Sequence, residues 1–168
     1  MKILIATSAL LLILPTFTAA QDATHKYRAE GYIFIGEGLY SEDNAHFGIS
    51  HVGGGGEVLL FRGLAVGGEL GAMGRPGDGV GLFSVGPSYH FLRASSKSKL
   101  VPFVDGGYTR PFGNDTFTYS DNLFNFGGGF HYWVFKRVGL RVEFRDYVDH
   151  GFRETSHFPA IRIGLALR

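Results

Sequence analysis

The chain has 168 residues, enough for one domain, and it contains no cysteine, which excludes a disulfide framework and thiolate chemistry. It holds 16 Lys and Arg against 15 Asp and Glu. Lys2 is the only charged residue of 1–20, so residues 21–168 carry no formal net charge. This balance excludes the basic excess typical of nucleic-acid-binding proteins.

Residues 1–20 have the layout of a secretory signal peptide. Lys2 precedes an apolar run, Ile3–Leu14, and Pro15 breaks that run before the small residues Thr18–Ala20. The run is shorter than the roughly 20 apolar residues that a transmembrane helix needs. We therefore predict a signal peptide over 1–20, cleaved after Ala20, and a single domain over 21–168.

The mature part alternates apolar and polar residues with a period of two, in segments of about ten residues, a pattern typical of membrane-barrel strands. The 26 Gly, 16 Phe and 8 Tyr also disfavour helices and favour strands. The predicted strands, in chain order, are Tyr27–Glu37, His51–Phe61, Leu64–Met73, Val80–Leu92, Leu100–Thr109, Asn122–Phe135, Val138–Arg145 and Phe158–Arg168.

The predicted links alternate in length. Short ones, such as Arg62-Gly63 and Lys136-Arg137, follow the second, fourth and sixth strands, and longer polar ones follow the others. Outer-membrane barrels have short periplasmic turns and longer outer loops. The pattern predicts an all-β fold, an eight-stranded antiparallel up-and-down transmembrane β-barrel with both termini at the periplasmic end.

Alternation alone does not decide which face points outward, since a soluble lipocalin-like barrel alternates too. Three features favour the membrane form. The polar face is rich in Gly, its cations are mostly Arg, and aromatic residues gather near strand ends, as in the interfacial girdles of membrane barrels. These aromatic residues are Phe61, Phe91, Phe112, Tyr119, Tyr132 and Phe135.

Charges of both signs lie on the polar face, which the membrane form turns toward the lumen. They predict a buried ion-pair lattice that fills the middle of the barrel, in which Arg141, Glu143 and Arg145 meet acidic partners. The lumen ion-pair candidates are Arg28, Glu30, Glu57, Glu69, Asp105, Arg141, Glu143, Arg145 and Arg162.

No motif predicts catalysis, a cofactor or a metal. The glycine clusters Gly53–Gly56 and Gly127–Gly129 lack the Lys-Ser/Thr of a phosphate-binding loop and fit barrel packing better. Ser156 and His157 are neighbours, which point to opposite faces of a strand, so no nucleophile–base pair is expected.

One histidine cluster falls in the last predicted outer loop, where Asp149, His150, Glu154 and His157 could meet a metal. We interpret these residues as a polar, solvated loop.

The stretch Phe130–Tyr147, FHYWVFKRVGLRVEFRDY, combines an aromatic strand, a basic tight turn and a strand of alternating basic and apolar residues. With it, the mature chain resembles the small outer-membrane β-barrel proteins of Gram-negative bacteria, of the OmpA/OmpX type. The resemblance implies location in the bacterial outer membrane after export through the periplasm, and folding by the barrel-assembly machinery. Family members often end in an aromatic residue, whereas this chain ends in Leu167-Arg168.

Three functions stay open at this point. The first is a structural or surface-interaction protein with a charged, plugged lumen, in contact with outer-membrane lipids and lipopolysaccharide. The second is a narrow channel for small solutes, and the third is a soluble ligand-binding barrel. We expect a monomer that is not an enzyme and binds no nucleic acid.

Overall fold

The protein was analysed as a computed structural model, which describes residues 29–42, 45–91, 99–113, 122–150 and 155–168. In these ranges the chain forms eight antiparallel strands in a closed up-and-down barrel, in which β1 pairs with β8. The predicted fold class is confirmed. The strands are β1 (Ala29–Glu42), β2 (Ala45–Phe61), β3 (Leu64–Arg75), β4 (Asp78–His90), β5 (Leu100–Phe112), β6 (Leu123–Trp133), β7 (Val138–His150) and β8 (Thr155–Leu167).

The described part of the chain contains no helix that is long and apolar enough to cross a membrane.

Because consecutive strands are antiparallel, β1 begins and β8 ends at the same end of the barrel, here named the terminal end. The opposite end is named the distal end. The β2–β3 turn at Arg62-Gly63 lies at the terminal end and has positive φ at both residues, 46° and 91°. This geometry matches the twist of the flanking strands, as in the tight hairpin turns of other sheets.

The predicted alternation of short and long links is wrong. The strands run further than predicted toward the distal end, so only residues 43–44 join β1 to β2 and only 76–77 join β3 to β4. The β4–β5 link, predicted to be short, spans 91–99. The hydrophobic pattern marks where side chains face an apolar medium, whereas the hydrogen-bonded ladder continues beyond that region, and this explains the short distal links.

The outer face of the barrel is apolar. Large hydrophobic side chains project outward with about half of their surface exposed, as do Ile163 (51%) and Leu70 (50%). Buried charged residues face the lumen from the same strands, so the lipocalin-like arrangement, with the charged face outside, does not apply. Further outward apolar residues are Ile33, Ile35, Val52, Leu60, Val66, Phe83, Val85, Val104, Phe126, Phe144, Ile161 and Leu165.

Inward-facing glycines allow the small radius of the barrel. A Cβ at the inward positions Gly129 and Gly164 would lie 1.9 Å from Val142 O and 2.1 Å from Ile33 O, on the neighbouring strands. At the outward Gly68 the nearest backbone oxygen, of Ser84, would be 3.7 Å away. The curl of the sheet brings backbones together on the inner side, and glycine leaves room for that approach.

Candidate functional site: the lumen

The lumen is filled in three layers. At the terminal end lies an apolar cluster of Val101, Trp133 and Ala166. The middle is occupied by charged side chains. The distal end is filled by a second apolar cluster, formed by Ile49, Met73, Val80, Leu82, Leu123, Tyr147 and Phe158. A narrow barrel has just enough interior space for side chains, and these layers use it.

Arg162 lies in the middle of the network. Its guanidinium donates to both carboxylate oxygens of Glu69, at 2.7 and 2.8 Å, and to Glu143 Oε2 at 3.0 Å. It also donates to the Tyr147 hydroxyl at 3.1 Å and stacks over the Phe34 ring, 3.8 Å from its centroid. A bidentate pair of this kind is the geometry in which Arg recognises carboxylates most strongly.

Two further arginines complete the network from β7. Arg141 contacts Glu143 at 2.9 Å, and both Glu57 and Asp105 at 3.4 Å. Arg145 contacts Glu143 at 2.6 Å, Glu69 at 3.5 Å and also Asp105. Each arginine therefore has more than one acidic partner, which offsets the cost of removing these charges from water.

Seven of the lumen candidates therefore share one contiguous set of ion pairs, here named the central network: Glu57, Glu69, Asp105, Arg141, Glu143, Arg145 and Arg162. Glu30 faces the lumen as well, but its ion-pair partner is His131 at 3.0 Å. Arg28 lies outside the described residues.

Several lumen side chains were not among the predicted candidates. His90 and His131 stack on each other and on Phe103, with ring centroids 4.9 to 5.8 Å apart. Tyr32 lies under the Arg141 guanidinium and donates to Glu69 Oε2 at 3.0 Å. The period-two pattern could have identified these side chains as facing the lumen. Each lies an even number of residues along its strand from a predicted lumen charge or polar residue, and such residues share a face.

A hydrogen-bonded chain lies distal to the network. The Ser84 and Thr109 hydroxyls are 2.8 Å apart, and Asn125 Nδ2 donates to Thr109 Oγ1 at 2.8 Å. Beside these residues a cavity offers about 40 Å³ to the centres of water molecules, bounded by Glu57, Asp105 and the backbone of β3 and β4. This volume suits a few water molecules.

Ser88, His90 and Glu57 come together in the lumen, but not as a catalytic triad. Ser88 Oγ donates to Glu57 Oε2 at 2.5 Å, and His90 Nε2 faces both Ser88 Oγ at 3.4 Å and Glu57 Oε1 at 3.2 Å. In a triad the carboxylate holds one ring nitrogen while the other receives the serine proton. Here one nitrogen faces both groups, and all three side chains are buried.

The residues considered as a metal cluster in the last outer loop do not all come together. Asp149 is buried on the lumen side, whereas His157 is on the outer surface, where its Nδ1 lies 2.7 Å from Asp146 Oδ2. Glu154 and the side chain of His150 lie outside the described residues.

No protein-family profile matches the chain, and no curated protein is significantly similar to it. Among solved structures, the barrel is similar to Neisserial surface protein A, with a TM-score of 0.62 and 14% identity over 83% of this chain and 96% of that one. A de novo designed transmembrane β-barrel gives 0.58 and 19%, covering 83% of this chain and 93% of its own.

The N-terminal barrel domain of Pseudomonas aeruginosa OprF gives a TM-score of 0.56 and 15% identity, over 82% of this chain and 97% of that one. The resemblance carried by Phe130–Tyr147 is thus confirmed at the level of structure. The chain has the fold of the small outer-membrane β-barrel proteins.

Proposed function

We propose that this protein is a resident of the bacterial outer membrane whose barrel is closed to solutes and whose role is structural or one of surface interaction. The carrying observation is the inverted distribution of polarity, with an apolar outer face around a lumen filled by ion pairs.

The apolar stretch of β8 has the length of a membrane-crossing strand. On β8, the outward positions from Leu167 back to Pro159 carry no charge, and the next outward residue is His157. This stretch is close to the 9–11 residues with which a tilted strand crosses a membrane. Polar outward residues lie at the distal ends of other strands too, at Glu37, Ser50 and Arg110.

Exposed aromatic residues gather at the terminal border of the apolar face. Phe61, Phe91, Tyr132 and Phe135 lie at the terminal end, and Phe112 lies at the distal end. Aromatic girdles occupy the interfaces of membrane barrels. Tyr119, also predicted for a girdle, is outside the described residues.

The filling of the lumen supports a closed barrel rather than a channel. A permeating solute would have to displace the terminal apolar cluster, several ion pairs and then the distal apolar cluster. The cavity of about 40 Å³ beside the central network suits only a few water molecules. We infer that lipids, including lipopolysaccharide, contact the outer face and that the barrel-assembly machinery inserts the chain as a monomer.

Fractionation of expressing cells tests location. We expect the mature chain to pellet with outer membranes, to need detergent for extraction, and to migrate faster on a gel when it is not boiled. A soluble periplasmic product whose mobility is unchanged by boiling would contradict the proposal.

Conductance in a planar bilayer separates a closed barrel from a narrow channel. We expect no steady conductance for the wild type. Steady, ion-selective currents that change with Arg141→Gln would instead favour a narrow channel gated by the central network.

A further inference from the structure

We propose that the lumen binds one divalent transition-metal ion, with Zn²⁺ as the best-suited metal, through Glu30, Glu57 and His131, with His90 as a fourth donor. These residues come from β1, β2, β6 and β4, and closure of the barrel brings them together near the terminal end.

The donor atoms are already grouped. One carboxylate oxygen each from Glu30 and Glu57 and one nitrogen from His131 lie within 4.8 Å of one another. His90 Nε2 is 3.2 Å from Glu57 Oε1, and its ring stacks on that of His131. Two carboxylates and two imidazoles form a donor set that zinc accepts in four-coordinate sites.

One buried acceptor in this group lacks a hydrogen bond. Glu30 Oε1 lies within ion-pair distance of His131 Nε2, at 3.0 Å, but receives no hydrogen bond from the described residues. Such groups are rare in folded proteins and call for an explanation, of which an ion is one.

The charge balance points the same way. The central network with Glu30 contains five carboxylates, from Glu30, Glu57, Glu69, Asp105 and Glu143, against three guanidinium groups, from Arg141, Arg145 and Arg162. The lumen therefore holds more carboxylates than guanidinium groups, and burying unpaired charge is costly. One divalent cation between Glu30 and Glu57 would offset this excess.

Arg141 is the competing cation, because its Nη1 lies 3.4 Å from Glu57 Oε1 and 3.2 Å from His131 Nε2. It also holds Glu143 at 2.9 Å and Asp105 at 3.4 Å. When metal takes Glu57, the guanidinium keeps two carboxylate partners, so binding does not leave Arg141 unpaired.

Trp133 provides a direct readout, since it is the only Trp of the chain and its ring centroid is 5.6 Å from that of His131. Protein purified from membranes without a histidine tag is stripped with chelator and titrated with Co²⁺ while Trp133 emission is recorded. We expect quenching that saturates at one Co²⁺ per chain, visible absorption of a tetrahedral Co²⁺ site, and reversal by Zn²⁺.

Two variants assign the ligands. We expect Glu30→Gln and His131→Gln each to weaken Co²⁺ binding by about tenfold or more, in the range found when metal sites are perturbed. His157→Gln, which removes an outward imidazole, is the matched control and should bind as the wild type. Each variant is first checked for folding by its gel mobility without boiling.

The proposal is overturned if the wild type shows no saturable quenching, or if folded Glu30→Gln and His131→Gln proteins bind Co²⁺ as tightly as wild type. If neither variant folds, the tetrahedral absorption and the Zn²⁺-reversible quenching of the wild type decide alone. Equal loss in the His157→Gln control would place the metal on the outer surface and also overturn it.

Discussion

At the scale of single residues, Arg162 shows why the lumen charges act as a set. The side chain is almost completely enclosed, at 1% exposure, and every nitrogen that makes a contact is directed at a carboxylate or at the Tyr147 hydroxyl. Its removal takes away the bidentate partner of Glu69, whose two oxygens both accept from it, and leaves the more distant Arg145 and the Tyr32 hydroxyl. A buried charge that loses its main partner costs more than the pair contributes.

We expect Arg162→Met to destabilise the barrel by about 3–5 kcal/mol, measured by urea unfolding in lipid vesicles. Arg75→Met is the matched control, because Arg75 pairs with Asp78 at 3.9 Å near the surface, where such pairs contribute about 0–1 kcal/mol. Adding Glu69→Gln to Arg162→Met should recover part of the loss. Equal effects of Arg162→Met and Arg75→Met would contradict a network held together by charge.

The inward glycines set the curvature at single positions. We expect Gly164→Ala to lower stability by about 1–3 kcal/mol, as overpacking does, because the new methyl group meets the carbonyl oxygen of Ile33. Gly68→Ala, on the outer side of β3, makes only ordinary contacts and should change stability little. Thermal unfolding of both variants in one detergent gives the comparison. An unchanged unfolding temperature for Gly164→Ala would show that the backbones of β8 and β1 can move apart.

At the scale of elements, the β2–β3 hairpin carries a strained position. Arg62 adopts a left-handed conformation, with φ of 46°, that disfavours residues other than Gly, Asn and Asp. Its neighbour Gly63 has φ of 91° and its carbonyl oxygen accepts from His90 N at 2.7 Å. The turn is therefore fixed to β4 as well as to its own strands.

We expect Arg62→Asn to stabilise the folded barrel by about 1 kcal/mol, because Asn tolerates the left-handed conformation of this turn. The midpoint of urea unfolding should rise with an unchanged slope. Gly63→Ala should act in the opposite direction, since its Cβ would lie 2.2 Å from His90 O. A drop in stability for Arg62→Asn would indicate that the stacking of Arg62 on Phe61 matters more.

The alternation of residues such as Leu140, Arg141, Val142 and Glu143 sufficed to predict the strands and the polar lumen, because lipid and lumen impose opposite demands on the two faces. The strand ends were not predictable in this way. Beyond the apolar face the outer side chains meet water, as at Glu37 and Ser50, and the alternation fades while the ladder continues.

The sequence was sufficient to predict which charged residues line the lumen, but not which of them form ion pairs with each other. A residue's face follows from its strand position, but which lumen charges meet depends on the stagger of strands around the whole barrel. Arg162 and Glu69 are an example, since they lie on β8 and β3, which are not neighbours. Tyr32, Phe34 and Trp133 were overlooked because an aromatic residue on a membrane strand is expected to face lipid.

At the scale of the whole molecule, the apolar outer face determines the medium in which the barrel is stable. Ile163 lies near the middle of this face, paired with Ile35 on β1 and Val142 on β7. Ser50 lies toward the distal end, where its hydroxyl donates to Glu37. The loss of stability caused by an added charge on the outer face should therefore depend on its depth in the bilayer.

We expect Ile163→Arg to destabilise the vesicle-inserted barrel by about 2–4 kcal/mol and Ser50→Arg by about 0–1 kcal/mol, following the depth dependence of charge in lipid. The measurement is reversible folding into vesicles of matched thickness. Similar costs at both positions would mean that the apolar face does not contact lipid.

The seam between β1 and β8 joins residues from opposite ends of the chain, such as Gly31 and Leu167. All other strand pairs are hairpins, which can form as soon as their two strands exist. The ladder therefore stays open at two edges until the last strand is available for pairing. During that interval the unfinished sheet exposes both its apolar face and its unpaired backbone, so the lifetime of the open chain, rather than the stability of the closed one, sets its exposure to aggregation and to proteolysis.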